Sequence, residues 1–436
     1  MTPGARLSAA IEVLADIEGR RRPAGDALKD WGLAHRFAGS GDRAAIGGLV
    51  FDALRRRSSA AHLMGAATPR AILFGTLRLE RGLSLDAIAR LADGARYAPA
   101  PPDDAEAHAL AAVPRDDAPA HVRGDYPEWL DPYFAAVFGD ERAEEGAALA
   151  RRAPVDLRTN ALKADRDKAA AALAHLHAVP TPWSPVGLRI ALSAEAKSPP
   201  LHAEPAYMDG WIEIQDEGSQ LAALQSGVRS GETVVDLCAG GGGKTLALAA
   251  LMNNSGRICA TDTDIRRLAP IHARIERAGV RTVEVRTPRG DAELLDDLAG
   301  AADLVLIDAP CTGVGAWRRN PDAKWRVRPG ALEQRIKAQD AVLARAARLV
   351  RPGGRIAYIT CSLLDDENGA RVRAFLAGHR DFAVVPADEV VGALGAAAAQ
   401  FRAAVKISDE GLLMTPRRTG TDGFFVAVLR RMSDLA

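Results

Sequence analysis

The chain has 436 residues, 48% of them hydrophobic, and carries 56 Lys plus Arg against 56 Asp plus Glu. That length makes room for two or three domains with a sizeable core, and the even balance excludes a chain dominated by a charged tail. It leaves open a local basic groove, because a nucleic acid responds to the field along its own path. The four cysteines (Cys238, Cys259, Cys311 and Cys361) are widely spaced without a C-x-x-C pair, which excludes zinc-site spacing and a disulfide framework, and no metal is expected. The first apolar stretch, Leu7 to Ile17, is broken by Glu12 and Asp16, and no run reaches membrane-spanning length. A cytoplasmic, reduced protein without membrane contact is expected, with a monomer as the default.

Residues 1–120 predict an all-helical domain. Leu7, Ile11, Leu14 and Ile17 fall at helical spacing, as do Ile46, Leu49, Val50 and Leu54. Arg20-Arg21-Arg22 and Arg55-Arg56-Arg57 are candidate phosphate contacts, with solvated helix ends the preferred reading because cations suit a helix C-terminus. The Pro- and Asp-rich stretch from Tyr97 to Pro119 reads as a linker. Residues 126–215 mix patterns, with a helix after Pro127, a strand over Val155 to Asn160 and a helix over Ala164 to His177, and predict a small α+β module.

Residues 216–436 predict the largest domain. Val234-Val235 leads into a glycine loop and a helix to Met252; Arg257 to Ala260 is a strand followed by a helix to Ala278. Leu304 to Ile307 and Ile356 to Ile359 are buried-strand runs separated by a helix over Leu332 to Val350. This alternation predicts an α/β, doubly wound, Rossmann-like parallel sheet, which binds ligands at the carboxyl ends of its strands.

Three motifs fall at those ends. Asp236-Leu-Cys-Ala-Gly-Gly-Gly-Gly-Lys-Thr245 is a strand end, a glycine loop and a helix start, and Asp262 ends the next strand, where an acidic side chain can hold a ribose hydroxyl. Gly243-Lys-Thr245 also resembles the end of a phosphate-binding P-loop, but that pattern's first glycine would fall on Cys238, so a nucleoside triphosphatase is a minor alternative. Asp308-Ala-Pro-Cys-Thr-Gly-Val-Gly315 and Thr360-Cys-Ser362 each follow a buried strand. Pro310 ends regular pairing, so two strands deliver two thiols to one rim.

Together these motifs resemble the Sun family of RNA cytosine-C5 methyltransferases. That family shows D-x-C-A-A-P-G-G-K-T, then D-A-P-C-S-G-x-G followed by R-R-x-P-D-x-K-W, then T-C-S followed by E-N-E. Here the second motif is followed by Arg318-Arg-Asn-Pro-Asp-Ala-Lys-Trp325 and the third by Glu367-Asn-Gly369. Shorter matches are Pro127-Glu-Trp-Leu130, Arg158-Thr-Asn160, Ile214-Gln-Asp216 with Ser219, and Asp422-Gly-Phe-Phe425. The resemblance covers roughly residues 126–430, and the N-terminal helices resemble an antitermination-factor-like RNA-binding domain. Two departures stand out: the family's Ala-Pro is Gly240-Gly241, which loosens the first loop, and the last acid of E-N-E is Gly369.

The resemblance implies a class I methyltransferase fold using S-adenosyl-L-methionine, bound by Cys238, Ala239, Gly240, Gly241, Gly242, Gly243 and Lys244, with Asp262 at the ribose, Asp291 on the adenine side and Asp308 alongside. It implies Cys361 as the nucleophile that adds to C6 of cytosine, Cys311 as the residue that helps release product, and Asp308 and Lys244 as catalytic partners. Nearby positive charge is expected to lower the Cys361 pKa. Arg318, Arg319, Lys324 and Trp325, with Trp317, Arg326 and Arg328, form a basic and aromatic cluster suited to RNA. The implied substrate is ribosomal RNA of the small subunit (16S), with transfer RNA as the alternative. Two further alternatives are a methyltransferase for another substrate, such as DNA or a protein side chain, in which a DNA cytosine enzyme would use Pro310-Cys311 as its nucleophile segment, and a non-catalytic RNA-binding protein.

Overall fold

A computed structural model describes residues 1–112, 117–192, 199–288 and 294–433. The chain divides into two compact units. One is built on Met1–Arg152 and takes back Trp317–Arg328; the other contains Ala153–Leu192, Ser198–Ala316 and Pro329–Ala436.

The first unit is helical. Thr2 caps the helix Pro3–Arg20 by accepting from the Ala5 N–H, with proline in the first turn where its missing N–H is harmless. The buried stripe Leu7, Leu14 and Ile17 packs with Val50 and Leu54 of Ser40–Arg55 and with Leu73, Phe74 and Leu77 of Pro69–Leu79. The stretch read as a linker contains a further helix, Asp104–Ala111. Its capping box, Asp103 with Glu106, was present in the sequence as D-x-x-E, and Arg70 anchors Glu106 at 2.8 Å while Leu110 enters the core.

Arg20, in the last turn of Pro3–Arg20, and Arg21, at its C-cap, form the solvated helix end expected of the first run, while the remaining arginines of the two runs are paired or buried. Arg22 pairs with Asp16 and Asp30, Arg56 with Glu80 and Asp125, and Arg57 with Glu18, while Arg55 is buried.

The returning segment corrects three of the expected RNA contacts. Lys324 is 2% exposed and donates to the carbonyls of Arg55 and Asp125 at 2.9 and 2.6 Å. Trp325 donates to the Leu54 carbonyl at 2.7 Å and lies under the Arg57 guanidinium. Arg318 is buried, its own carbonyl accepting from Arg55, and Trp317 stacks on Phe134. Lys324, Trp325 and Arg318 are therefore packing residues of the helical unit. A basic and aromatic composition has the same appearance in sequence whether it faces RNA or a helix end rich in free carbonyls. Arg319 is half-buried, and Arg326 and Arg328 are exposed.

The second unit holds two sheets. The small one is antiparallel, with β1 (Val155–Thr159), β2 (Val179–Pro180), β3 (Gly187–Ile190) and β4 (Ile212–Ile214) in the order β2-β3-β1-β4. Asn160 Nδ2 ties it to the Gly210 and Ala278 carbonyls, and Trp183 Nε1 to the Thr419 carbonyl. These bonds make the small sheet part of this unit, while the preceding helices Asp131–Phe138 and Arg142–Ala150 belong with the first. The span 126–215, read from sequence as one module, thus contributes to both units.

Among the described residues the large sheet has nine strands: β5 (Thr233–Asp236), β6 (Arg257–Ala260), β7 (Val283–Val285), β8 (Ala302–Asp308), β9 (Val350–Thr360), β10 (Phe382–Val384), β11 (Lys406–Ile407), β12 (Leu412–Met414) and β13 (Phe424–Arg431). Their order is β11-β12-β13-β9-β8-β5-β6-β7, with β10 paired to β13. Strands β5 to β9 are parallel neighbours and β13 runs antiparallel to β9. The order reverses at β5, which creates the switch-point crevice at the strands' carboxyl ends. The helix expected to run to Ala278 is interrupted into Ile265–Leu268 and Ile271–Ala278, because Pro270 supplies no N–H to continue it. Among the described residues, no helix is long and apolar enough to cross a membrane.

Burial pushes the Lys324 ammonium down to about 7. The unfolded chain, with an ordinary lysine value of 10.5, therefore binds the extra proton between those limits, and this residue makes stability rise with pH across that window. Lys324→Ala is expected to cost about 2–4 kcal/mol by orphaning two buried carbonyls and opening a void, and to abolish that pH rise. Calorimetry from pH 7 to 9 (about the lower half of the window) checks both. An RNA-contacting lysine would instead leave the melting curve unchanged and weaken RNA binding.

Candidate active site

Strand β5 ends at Asp236, which is fully buried. Its Oδ2 accepts from Thr245 Oγ1 at 2.7 Å and its Oδ1 from the Cys238 N–H at 3.4 Å, stapling the two ends of the glycine loop. Burial pushes its carboxyl up to about 7, against the hydrogen bond from Thr245. Between the staples the chain needs left-handed residues, Gly240 at φ +49° and Gly242 at φ +84°. A Cβ on Gly242 would lie 2.5 Å from Ile271 Cγ1, so glycine is required there on two counts. The helix Gly243–Leu251 then starts without a side-chain cap, leaving N–H groups of its first turn for a ligand.

Asp262, just beyond β6, accepts from the Gly240 and Asp264 N–H groups at 2.9 and 2.8 Å. A carboxylate has further acceptor positions, so it holds the loop and can still receive a hydroxyl. Glycine backbone, an uncapped helix start and this carboxylate are a donor and acceptor set that fits an adenosyl cofactor bearing an amino-acid group. Asp291 lies outside the described residues.

Lys244, in the first turn of that helix, is 6% exposed at its side chain and donates to Asp308 Oδ2 at 2.7 Å. Its ammonium also lies 5.0 Å from the Phe424 ring centroid. Asp308 ends β8, and its half-exposed carboxylate faces outward from the strand end. The sheet thus joins the first and second motifs by a charged hydrogen bond.

The two later cysteines meet: Cys311 Sγ is 3.4 Å from Cys361 Sγ, and both are half-buried. Contact with Cys361, then burial, pushes the Cys311 thiol well up. A protonated Cys311 can donate to the Cys361 sulfur. Cys238 and Cys259 are apart from this pair. Burial raises both, Cys259 to about 11; Cys259 is a small core residue of β6, whereas Cys238 is half-buried in the glycine loop.

Glu367, fully buried, holds the two cysteine loops together. Its Oε1 accepts from the Thr312 N–H at 2.8 Å and from Gln339 Nε2 at 3.1 Å; its Oε2 accepts from Thr312 Oγ1 and Ser362 Oγ, each at 2.5 Å. Thr312 follows Cys311 and Ser362 follows Cys361. Asn368 adds a second tie, accepting from Thr360 Oγ1 and donating to the Ser362 carbonyl. The Gly315 N–H donates to the Cys361 carbonyl at 2.9 Å, and a Cβ on Gly315 would lie 2.2 Å from the Gly423 carbonyl oxygen. The short sequence matches are connected as well: Arg158 Nε donates to Gln215 at 2.7 Å, and Asp216 accepts from the Asp422 N–H at 3.1 Å.

Cys238, Ala239, Gly240 to Gly243, Lys244, Asp262, Asp308, Cys311 and Cys361 thus all lie at the carboxyl ends of β5, β6, β8 and β9. Sequence reading assigned no role to Glu367, although the Glu-Asn pair after Thr360-Cys-Ser362 marked its place, and it did not single out Glu213, Arg274 or Gln339.

Residues 223–430 match the family model described as 16S rRNA methyltransferase RsmB/F. The chain is similar to the probable ribosomal RNA small subunit methyltransferase B of Synechocystis, at 31% identity over 70% of this chain and 67% of that protein. It is similar to the ribosomal RNA small subunit methyltransferase B of Sodalis glossinidius, at 33% identity over 70% and 66%. The matches therefore span about two thirds of those relatives' lengths. Among solved structures, PH0851 aligns over 99% of both chains with a TM-score of 0.72 and 25% identity. NSun6 from Pyrococcus horikoshii with SFG aligns over 71% of this chain and 99% of that one, with a TM-score of 0.59 and 22% identity, a likeness of fold. With its glycine loop, Lys244–Asp308 pair and paired cysteines in that setting, the chain belongs to the 16S rRNA methyltransferase RsmB/F family, RNA methyltransferases of the Sun type that use S-adenosylmethionine.

Proposed function

We propose that this protein methylates C5 of a cytosine in 16S ribosomal RNA through a covalent bond between Cys361 and C6 of the base, acting as a cytoplasmic monomer. The contact of Cys311 with Cys361 beside Lys244 and Asp308 carries the reading. Cytosine C5 is a poor nucleophile, and a thiolate added at C6 makes it enamine-like. Bound S-adenosylmethionine supplies the electrophilic methyl group. Cys361, at the end of β9, is the attacking thiolate. Asp308 contacts the N3 and amino edge of the base, and Lys244 orients it. Cys311 then assists the β-elimination in which a base takes the C5 proton, the C6–sulfur bond breaks and Cys361 leaves as the thiolate. The target base must leave its stack to reach this rim. RNA contact is proposed for Arg319 and for the exposed Arg326 and Arg328.

Transfer of label from S-adenosylmethionine to RNA lacking the modification, followed by nucleoside digestion, should give 5-methylcytidine with wild type and none with Cys361→Ala. Cys311→Ala should accumulate a protein–RNA adduct that survives a denaturing gel. An adduct with Cys361→Ala in place of Cys311→Ala would exchange the two roles, and label in transfer RNA alone would move the substrate. Glu367→Ala should lower turnover by about 100-fold by freeing the cysteine loops. Glu367→Gln should keep most of it, because the Thr312 and Ser362 hydroxyls can turn to accept from the amide; steady-state rates of the two variants check this.

A further inference from the structure

The glycine loop carries Gly240-Gly241 where the family pattern has Ala-Pro. The structure supplies a brace at that place. Arg274, on the helix Ile271–Ala278, donates through Nη1 to the Gly241 carbonyl at 2.6 Å and through Nη2 to Glu213 Oε2 at 2.9 Å. Glu213 is a firm anchor: it lies in β4, is 3% exposed, and its Oε1 accepts from Arg277 Nη2 at 2.5 Å. Arg277, one turn along the same helix face, is itself fixed over the Tyr207 ring and by a 2.9 Å bond to its hydroxyl.

The guanidinium and the glycine are complementary. A Cβ on residue 241 would lie 3.1 Å from Arg274 Nη1, so a side chain there crowds the arginine. Glycine at 241 admits the brace and, being free in φ, needs one. Proline would fix φ by its ring.

We propose that Arg274, anchored on Glu213, is a positioning residue that holds the glycine loop in its cofactor-binding shape and replaces the stiffness of the missing proline. The proposal rests on the reading of this loop as the cofactor site. Arg274 works through the Gly241 carbonyl and takes no part in the chemistry.

The test is calorimetric titration of the full chain with S-adenosylmethionine, together with KM values for cofactor and RNA. Arg274→Met keeps the aliphatic stem and leaves Glu213 paired with Arg277. It should weaken cofactor binding about ten-fold, or about 1.4 kcal/mol, and raise the cofactor KM in step while the RNA KM stays put. Arg274→Lys, with one point charge for two contacts, should fall between. Glu213→Gln should shift affinity in the same direction, and Gly241→Pro added to Arg274→Met should recover part of the loss. Unchanged affinity in Arg274→Met overturns the proposal. So does a fall in melting temperature with both KM values rising together, which is a general structural effect. If wild type binds no cofactor while remaining folded, the assignment of the loop fails first, and the brace fails with it.

Discussion

A carboxylate taken out of water must be met by donors, and the place where this chain does so decides where Cys311 and Cys361 sit. Glu367 is buried, and its four contacts come from neutral donors: an N–H, two hydroxyls and an amide. Each donor satisfies the charge only from one side, so the segments that carry them are drawn to fixed positions. Those segments are the turn after β8, the turn after β9, and the helix Pro329–Leu349 between the two strands. The separation of Cys311 and Cys361 follows from this arrangement. The parallel pairing of β8 with β9 brings the loops to the same edge, and the carboxylate sets their distance.

The glycine-loop side of the rim uses the same principle with backbone groups. Asp236 staples the ends of the glycine loop and Asp262 holds an amide within it. Both carboxylates are buried at the ends of the adjacent strands β5 and β6, beside the switch point between β5 and β8. Lys244 then links this half of the rim to Asp308 and the thiol half. A sheet edge of this kind holds charged groups close together while their second contacts keep them oriented.

The first unit shows a different use of charge. Arg56, Arg57 and Lys324 are directed at acidic side chains or at helix-terminal carbonyls. Burial of the Lys324 ammonium lowers its pKa, and two carbonyl acceptors offset part of that cost in a place where helix ends leave such groups without partners.

The amino-acid sequence by itself determined the alternation of buried strands and helices after residue 230, the position of each motif at a strand end, and the choice of two cysteines out of four. These features are local: a run such as Leu304 to Ile307 has one use, and Pro310 or four successive glycines dictate backbone behaviour wherever they fall. It also contained the capping box at Asp103 that makes a helix inside a Pro- and Asp-rich stretch. Only the tertiary structure decided which polar groups face inward. The Lys324 and Trp325 pair, read as an RNA surface, became packing because Leu54, Arg55 and Asp125 offer carbonyls nearly 200 or more residues away in the chain. Arg274, Glu213 and Glu367 acquired their positions in the same manner, from partners brought near by strand order. The direction a charged side chain takes depends on where the nearest unsatisfied partner lies, and distance along the chain carries no record of that.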